Sequence, residues 1–204
     1  MGKIANRIIS VWMLLLGFGL LPLALASSDP VNMLENITTQ MISALEKNQA
    51  TIKSNPGFVQ SLVNQHLVPI MDHESMSRAV LGRNVWTAAS PDQKAKFKST
   101  FQKLVVRTYA AAIAKYDNQT VRYGHKESLE GRRFIQVNSV ISQRSGPSLN
   151  VNYRLSLQGS QWKIYDFSVD GVSMVQSYRS QFTPIVNQSG MEGLLQKLSA
   201  HNTR

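Results

Sequence analysis

The side chains that could do chemistry here are few: four histidines, twelve carboxylates and no cysteine. His66, His73, His125 and His201 include no pair at i, i+4, the spacing that sets two imidazoles on one helix face for zinc. Without cysteine, a metal site would need histidine and carboxylate alone. The densest gathering is Met71-Asp72-His73-Glu74-Ser75. Adjacent helical residues point in different directions, and a catalytic triad is assembled from distant segments. The stretch therefore reads as a helix start with acids in its first turn. Gly171-Val172-Ser173-Met174-Val175 has the strand–turn–helix setting of a nucleophile elbow but lacks the second glycine of G-x-S-x-G. Ser173 fits better as a first-turn residue that helps a cap. Asp166 and Asp170 lie four apart, where strand alternation would put both on one face with Ile164. They could form a general acid/base pair, although two solvent-facing acids are the commoner case. No glycine-rich fingerprint follows a strand, so a phosphate loop is excluded.

The elements that would position these groups begin with helices. Asp29 can cap a helix with Pro30 in its first turn, and Leu34, Ile37, Met41, Ile42 and Leu45 continue it as an apolar stripe. A second helix starts near Pro56, turns Phe58, Val59, Leu62, Val63 and Leu67 inward, and breaks at Pro69. A short third follows Asp72, carries Met76, Ala79 and Val80, and stops at Gly82. Ser90-Pro91-Asp92-Gln93 is a capping box. Phe97, Phe101, Leu104, Val105, Thr108, Ala112 and Tyr116 then recur at helical spacing.

After Asp117-Asn118 the period becomes two. Strands are expected over 120–127, 133–142, 148–157 and 161–169, with turns at Glu130-Gly131, Ser145-Gly146-Pro147 and Gly159-Ser160. Short connections make them an antiparallel meander. Along the third, Leu149, Val151, Tyr153, Leu155 and Leu157 face one way and Asn150, Asn152, Arg154 and Ser156 the other, so one sheet face is covered and one is wet. Asp170-Gly171 turns the chain into a helix over 172–187, where Pro184 can bend it. A last helix, over 191–199, opens on a capping box at Ser189-Gly190-Met191-Glu192. Helices, a meander of about four strands, then helices make an α+β domain whose sheet packs one face on helices.

The N-terminus sets the compartment. Residues 1–7 carry Lys3 and Arg7 and no acid, residues 8–25 are apolar, and Ala24-Leu25-Ala26 precedes Ser27-Ser28. That is the pattern of a cleaved secretory signal peptide over 1–26. The run approaches membrane-spanning length, but Pro22 and the small residues at the cleavage positions argue against an anchor. Cleavage leaves 178 of the 204 residues, one domain over 27–204. An exported chain without cysteine must hold together by packing, and the combination suits a bacterial periplasm. Loss of Lys3 and Arg7 takes the net charge from +10 to +8. The charge is compatible with a solvated surface, an anionic membrane surface or an acidic partner. Export argues against nucleic acid as the physiological target.

What remains is apolar surplus. One sheet face offers Ile135, Val137, Ile141, Val151, Tyr153, Leu155, Phe167 and Val169, and the covering helices bring Leu104, Tyr109, Met174, Tyr178 and Phe182. Such a set makes either an ordinary core or an apolar hollow of the kind that holds small molecules.

A resemblance bears on that choice. Val68-Pro69-Ile70-Met71-Asp72, Val80-Leu81-Gly82 with Trp86, and the stretch over 97–109 resemble the MlaC, or toluene-tolerance auxiliary, family. So do Val151-Asn152-Tyr153-Arg154-Leu155, Trp162-Lys163-Ile164-Tyr165-Asp166, Gly171-Val172-Ser173 and Tyr178-Arg179-Ser180-Gln181-Phe182, in order over nearly the whole mature chain. The last block is the most specific. The resemblance implies a monomeric periplasmic phospholipid carrier of Gram-negative bacteria, with no catalytic motif and no cofactor beyond the lipid cargo. Its implied partners are an outer-membrane lipoprotein–porin complex and an inner-membrane ABC transporter with its substrate-binding ring, and its implied role is to maintain outer-membrane lipid asymmetry. It also implies a curled antiparallel sheet with acyl chains buried against helices. Strand parity then nominates Leu104, Tyr109, Val137, Ile141, Val151, Tyr153, Leu155, Phe167, Val169, Met174, Tyr178 and Phe182 as the lipid cavity, and Arg179 as a head-group or mouth residue. Two other readings stay open: a small hydrolase or isomerase with Asp166 or His125 as base, and a solid-cored adaptor for an envelope complex.

Overall fold

In the computed structural model, residues 29–55, 57–124, 129 and 131–202 are described. The expected signal peptide, Pro56, His125, Glu130 and the far end of the first expected strand lie outside them. Asp29 opens the first helix, its carboxylate accepting from the Val31 amide at 2.9 Å. The helices run α1 (Pro30–Lys47), α2 (Gln49–Ser54), α3 (Gly57–His66), α4 (His73–Leu81), α5 (Arg83–Ala88) and α6 (Pro91–Ile113), with a 3-10 turn over Val68–Ile70. The short α2 and α5 have too few residues to show an apolar period, so periodicity alone does not find them. The capping box at α6 forms in both directions: Gln93 N donates to Ser90 Oγ and Ser90 N to Gln93 Oε1, each at 3.1 Å. Asp72 caps α4 through the Ser75 amide at 2.9 Å. Gly82 ends α4 with φ 77°, a left-handed conformation that glycine adopts without strain.

The sheet is an open antiparallel ladder in the order β1-β2-β3-β4-β5, made of β1 (Thr120–Tyr123), β2 (Phe134–Ser142), β3 (Leu149–Gln158), β4 (Gln161–Val169) and the two-residue β5 (Val172–Ser173). The expected helix over 172–187 therefore starts late. Asp170 and Gly171 both have positive φ (46° and 83°), which makes their turn a hairpin turn. Val172 and Ser173 pair back onto Val169 and Ser168 before α7 (Met174–Asn202) begins. Pro184 is carried inside α7. The break comes at Gly190 (φ 64°, ψ −173°), so two helical segments do close the chain. Gly190 itself occupies the non-helical position expected of Ser189, and Glu192 pairs with Lys96 at 3.9 Å instead of completing a capping box.

Register fixes the faces. Ile135 pairs with Leu155, Val137 with Tyr153, Ser139 with Val151, and Ile141 with Leu149. These side chains turn to the helices, while Phe134, Gln136, Asn138 and Val140 are exposed on the other side. Between β3 and β4 the register slips at Arg154/Leu155, leaving Tyr165 unpaired. Through this bulge Trp162 and Ile164 share the inner face with Phe167 and Val169. Asp166 pairs instead with Arg154. The expectation that Asp166, Asp170 and Ile164 share one face assumed unbroken alternation; the bulge puts Ile164 out of phase, while Asp166 and Asp170, both beyond it, keep the same phase.

The helices approach the sheet along its flanks: α1 against β1, and α4, α7 and the 3-10 turn against β4. The buried apolar side chains form three clusters. One joins α4, α5, α6 and α7 around Phe97, Phe101, Tyr178 and Phe182. A second packs Val31 and Leu34 of α1 on Ile135, Val137, Leu155, Trp162 and Ile164. The third joins α1, α3 and α6 around Met41, Val59 and Val106.

Candidate functional site

The candidates for catalysis are held in structural contacts. Asp72 caps α4 and also accepts from Gln158 Nε2 at 2.5 Å, tying α4 to the β3–β4 turn. His73 Nε2 lies 3.0 Å from the Val68 carbonyl, and Glu74 pairs with Lys98 at 3.0 Å and Arg78 at 3.6 Å. Asp166, 5% exposed, accepts from Ser173 Oγ at 2.7 Å and from the Val175 amide at 3.1 Å, with Arg154 at 3.7 Å. Ser173 Oγ in turn accepts from the Gln176 amide at 3.1 Å. The two residues cap α7 together, where a carboxylate also meets the positive end of the helix dipole. Asp170 ties its turn to β3 by accepting from the Asn150 amide at 2.9 Å. His201 meets the Arg107 guanidinium. Among the described residues no group of three or more histidines, aspartates and glutamates could hold a metal.

The inner face of the sheet divides into two halves. Toward Ile135, Leu155 and Trp162 it is filled by α1. Toward the other end lie Val121, Ile141 and Leu149, consecutive cross-strand partners on β1, β2 and β3, followed by the partners Val151 and Val169. None of these five belongs to any of the three clusters. Val151 is 7% exposed and the others are half-buried. They form an apolar patch across four strands that belongs to none of the helix-packed clusters. Tyr109 of α6 reaches its margin, its ring 4.7 Å from that of Phe167 and edge-on to it.

A polar seam borders the patch. Ser139, 2% exposed, donates to the Val151 carbonyl at 3.1 Å. The Tyr123 hydroxyl meets Thr38 Oγ1 of α1 at 2.6 Å, and the Tyr123 and Tyr153 rings lie 6.3 Å apart. Burial, and then the neighbouring Tyr123, push the Tyr153 phenol far above its ordinary range, against a smaller opposing effect of Ser139. Burial also raises Tyr123, partly offset by its bonds to Thr38 and Tyr153. Tyr109 is raised to about 12 by burial, then by Tyr178 and Asp166. All three stay neutral at physiological pH.

The residues nominated from strand parity do not meet in one place. Ile141, Val151 and Val169 lie in the patch, with Tyr109, Phe167 and Tyr153 at its border. Val137 and Leu155 sit under α1 in the second cluster. Leu104, Met174, Tyr178 and Phe182 belong to the helical cluster, where the Tyr178 and Phe101 rings meet edge-on at 5.2 Å. Arg179 lies outside, its guanidinium over Gly82: a Cβ on that glycine would fall 3.3 Å from Arg179 Nη2. Sequence reasoning omitted Val121, Leu149, Tyr123 and Ser139. Leu149 and Val121 follow from parity once the register is known, whereas a serine on an apolar face carries no such signal.

The fold is α+β, with an apolar patch on its sheet that belongs to none of the three clusters. The family model described as MlaC protein matches residues 35–200, and the chain belongs to that family. It is 28% identical over 178 residues to the intermembrane phospholipid transport system binding protein MlaC of Haemophilus influenzae, covering 86% of this chain and 83% of that one. It is 26% identical over 168 residues to the toluene tolerance protein ttg2D of Pseudomonas putida, covering 82% and 78%. Among solved structures, the phospholipid-binding protein of Ralstonia solanacearum, in complex with a phospholipid, superposes with a TM-score of 0.79 at 26% identity. The alignment covers 86% of this chain and 98% of that one.

Proposed function

We propose that this protein is a periplasmic phospholipid carrier, a single lipid-binding domain over 27–204 released by cleavage of a signal peptide over 1–26. The observation that carries the reading is the apolar patch of Val121, Ile141, Leu149, Val151 and Val169, which belongs to no core cluster. Family membership and the phospholipid bound by the Ralstonia structure support it. The acyl chains lie between this patch and helices α1 and α6, with the head group toward solvent. The protein works as a monomer without catalysis or cofactor. It passes lipid between an outer-membrane lipoprotein–porin complex and an inner-membrane ABC transporter with its substrate-binding ring, and so maintains outer-membrane lipid asymmetry.

The energetics require such a device. Two acyl chains hold about 30 methylene groups at about 0.8 kcal/mol each, so an unaided crossing of water costs on the order of 20 kcal/mol. A carrier that matches the burial offered by the bilayer makes loading and unloading nearly balanced, which leaves direction to the partners. The test is native mass spectrometry of the mature protein, with organic extraction and lipid identification on the same sample. Diacyl phospholipid near one per chain is expected. Protein that stays empty after incubation with liposomes would overturn the reading in favour of a solid-cored adaptor.

A further inference from the structure

A second concave surface lies among the helices, with no sheet residue in its wall. It is an open depression of about 700 Å³. Trp86 of α5 and Gly82 line it together with four cations: Arg78 of α4, Arg83 of α5, Lys94 of α6 and Arg179 of α7. Arg78 and Lys94 stand over the Trp86 ring, 6.0 and 5.7 Å from its centroid. Among the described residues no carboxylate lines the depression. Glu74 engages Arg78 from outside it, while Arg83, Lys94 and Arg179 make no ion pair among the described residues. Four helices thus bring four like charges together, three of them without an ion pair among the described residues, an arrangement that opposes folding and is relieved by an anionic partner.

We propose that this depression receives an acidic segment of a protein partner, its carboxylates on Arg83, Lys94 and Arg179 and an apolar side chain against Trp86. The shape selects the partner. A concave surface admits an inserted loop or helix end, which a flat bilayer cannot supply. Arginine matches carboxylate in bidentate geometry, so a peptide can be held in one orientation. The site is separate from the apolar sheet face, so a partner can dock here while lipid stays enclosed.

The probe is a short fluorescein-labelled peptide in which glutamates flank a central leucine and phenylalanine, read by fluorescence anisotropy on the mature protein. Arg83→Glu/Lys94→Glu is the test variant. Both positions lie in the first turns of helices, where an acid suits the helix dipole, so the variant is expected to fold. Lys103→Glu/Lys197→Glu, at exposed helix positions outside the depression, changes the net charge equally. The test pair should weaken the peptide about tenfold or more and the control pair about twofold or less, with affinity falling as salt rises. Arg83→Gln/Lys94→Gln should give an intermediate loss and guards against misfolding of the reversed variant. Equal losses in test and control pairs, or no measurable peptide binding, would overturn the proposal. So would the same variant dependence in co-sedimentation with phosphatidylglycerol vesicles, which would assign the surface to membrane.

Discussion

Replacing Val151 by tryptophan separates a hollow from a core, because its neighbours on β3 provide an internal reference. Leu155 is 0% exposed and enclosed by Val31, Leu34, Ile135 and Ile164. Val151 points from the same face of the same strand but belongs to no cluster. Overfilling a packed site costs about 1–3 kcal/mol. At about 2–4 °C per kcal/mol for a domain of this size, Leu155→Trp should melt roughly 2–12 °C below wild type. Val151→Trp should melt within about 4 °C of wild type, because no core cluster packs on that position and tryptophan suits a strand. The same indole takes room from the acyl chains. Displacing roughly four methylene groups removes about 3 kcal/mol of burial, more than a hundredfold in lipid affinity. Thermal melting followed by native mass spectrometry on one preparation reads both quantities. If Val151→Trp melts as low as Leu155→Trp and still carries lipid at wild-type stoichiometry, the patch is ordinary core and the lipid lies elsewhere.

Other outcomes follow from the contacts around the site. Asp166→Ala removes the carboxylate that serves Ser173 and the Val175 amide, and should cost about 2–4 kcal/mol by the loss of a cap and of hydrogen bonds to a charge; chemical denaturation checks it against Ser173→Ala, which should lose less. Gly82→Ala places a Cβ at φ 77° against the Arg179 guanidinium and should cost about 1–2 kcal/mol, read as a lower melting temperature. Tyr109 sets an alkaline limit. Its folded-state pKa of about 12 exceeds the ordinary value of 10.0, so the unfolded chain releases the proton first as pH rises. Its contribution is therefore complete below pH 10 and lost between 10 and 12. Melting temperatures across that window should fall less steeply in Tyr109→Phe than in wild type.

Much of this architecture is legible in the sequence because local signals and tertiary structure agree. Ser90 with Gln93, Asp29 with Pro30, and Gly82 each specify a helix terminus through backbone chemistry that needs no long-range partner. The alternation along β3 gives its faces correctly. The departures have physical causes. Asp170-Gly171 is a hairpin signal, but the strand after it is two residues long, too short to show a period before α7 takes over. The bulge at Tyr165 depends on how β4 meets β3 and cannot be seen in β4 alone. For the site, composition yields apolar residues on the right elements, yet Phe182 in the helical cluster and Val151 in the patch look alike in sequence. Whether a side chain meets neighbours or a void is a property of tertiary spacing, and Arg179 shows the same limit for charge.

The unpaired Tyr165 makes β4 a strand with two phases. Ahead of it, even-numbered Trp162 and Ile164 point inward; beyond it, odd-numbered Phe167 and Val169 do. One extra residue thus serves as a frame correction between the half of the sheet that α1 fills and the half left apolar and open. Removing Tyr165 would restore strict alternation and evert one pair or the other, emptying the core or turning the patch outward. Along this strand a one-residue change of length would move side chains from one face to the other, so the count of residues from Trp162 to Val169 carries information that their identities do not.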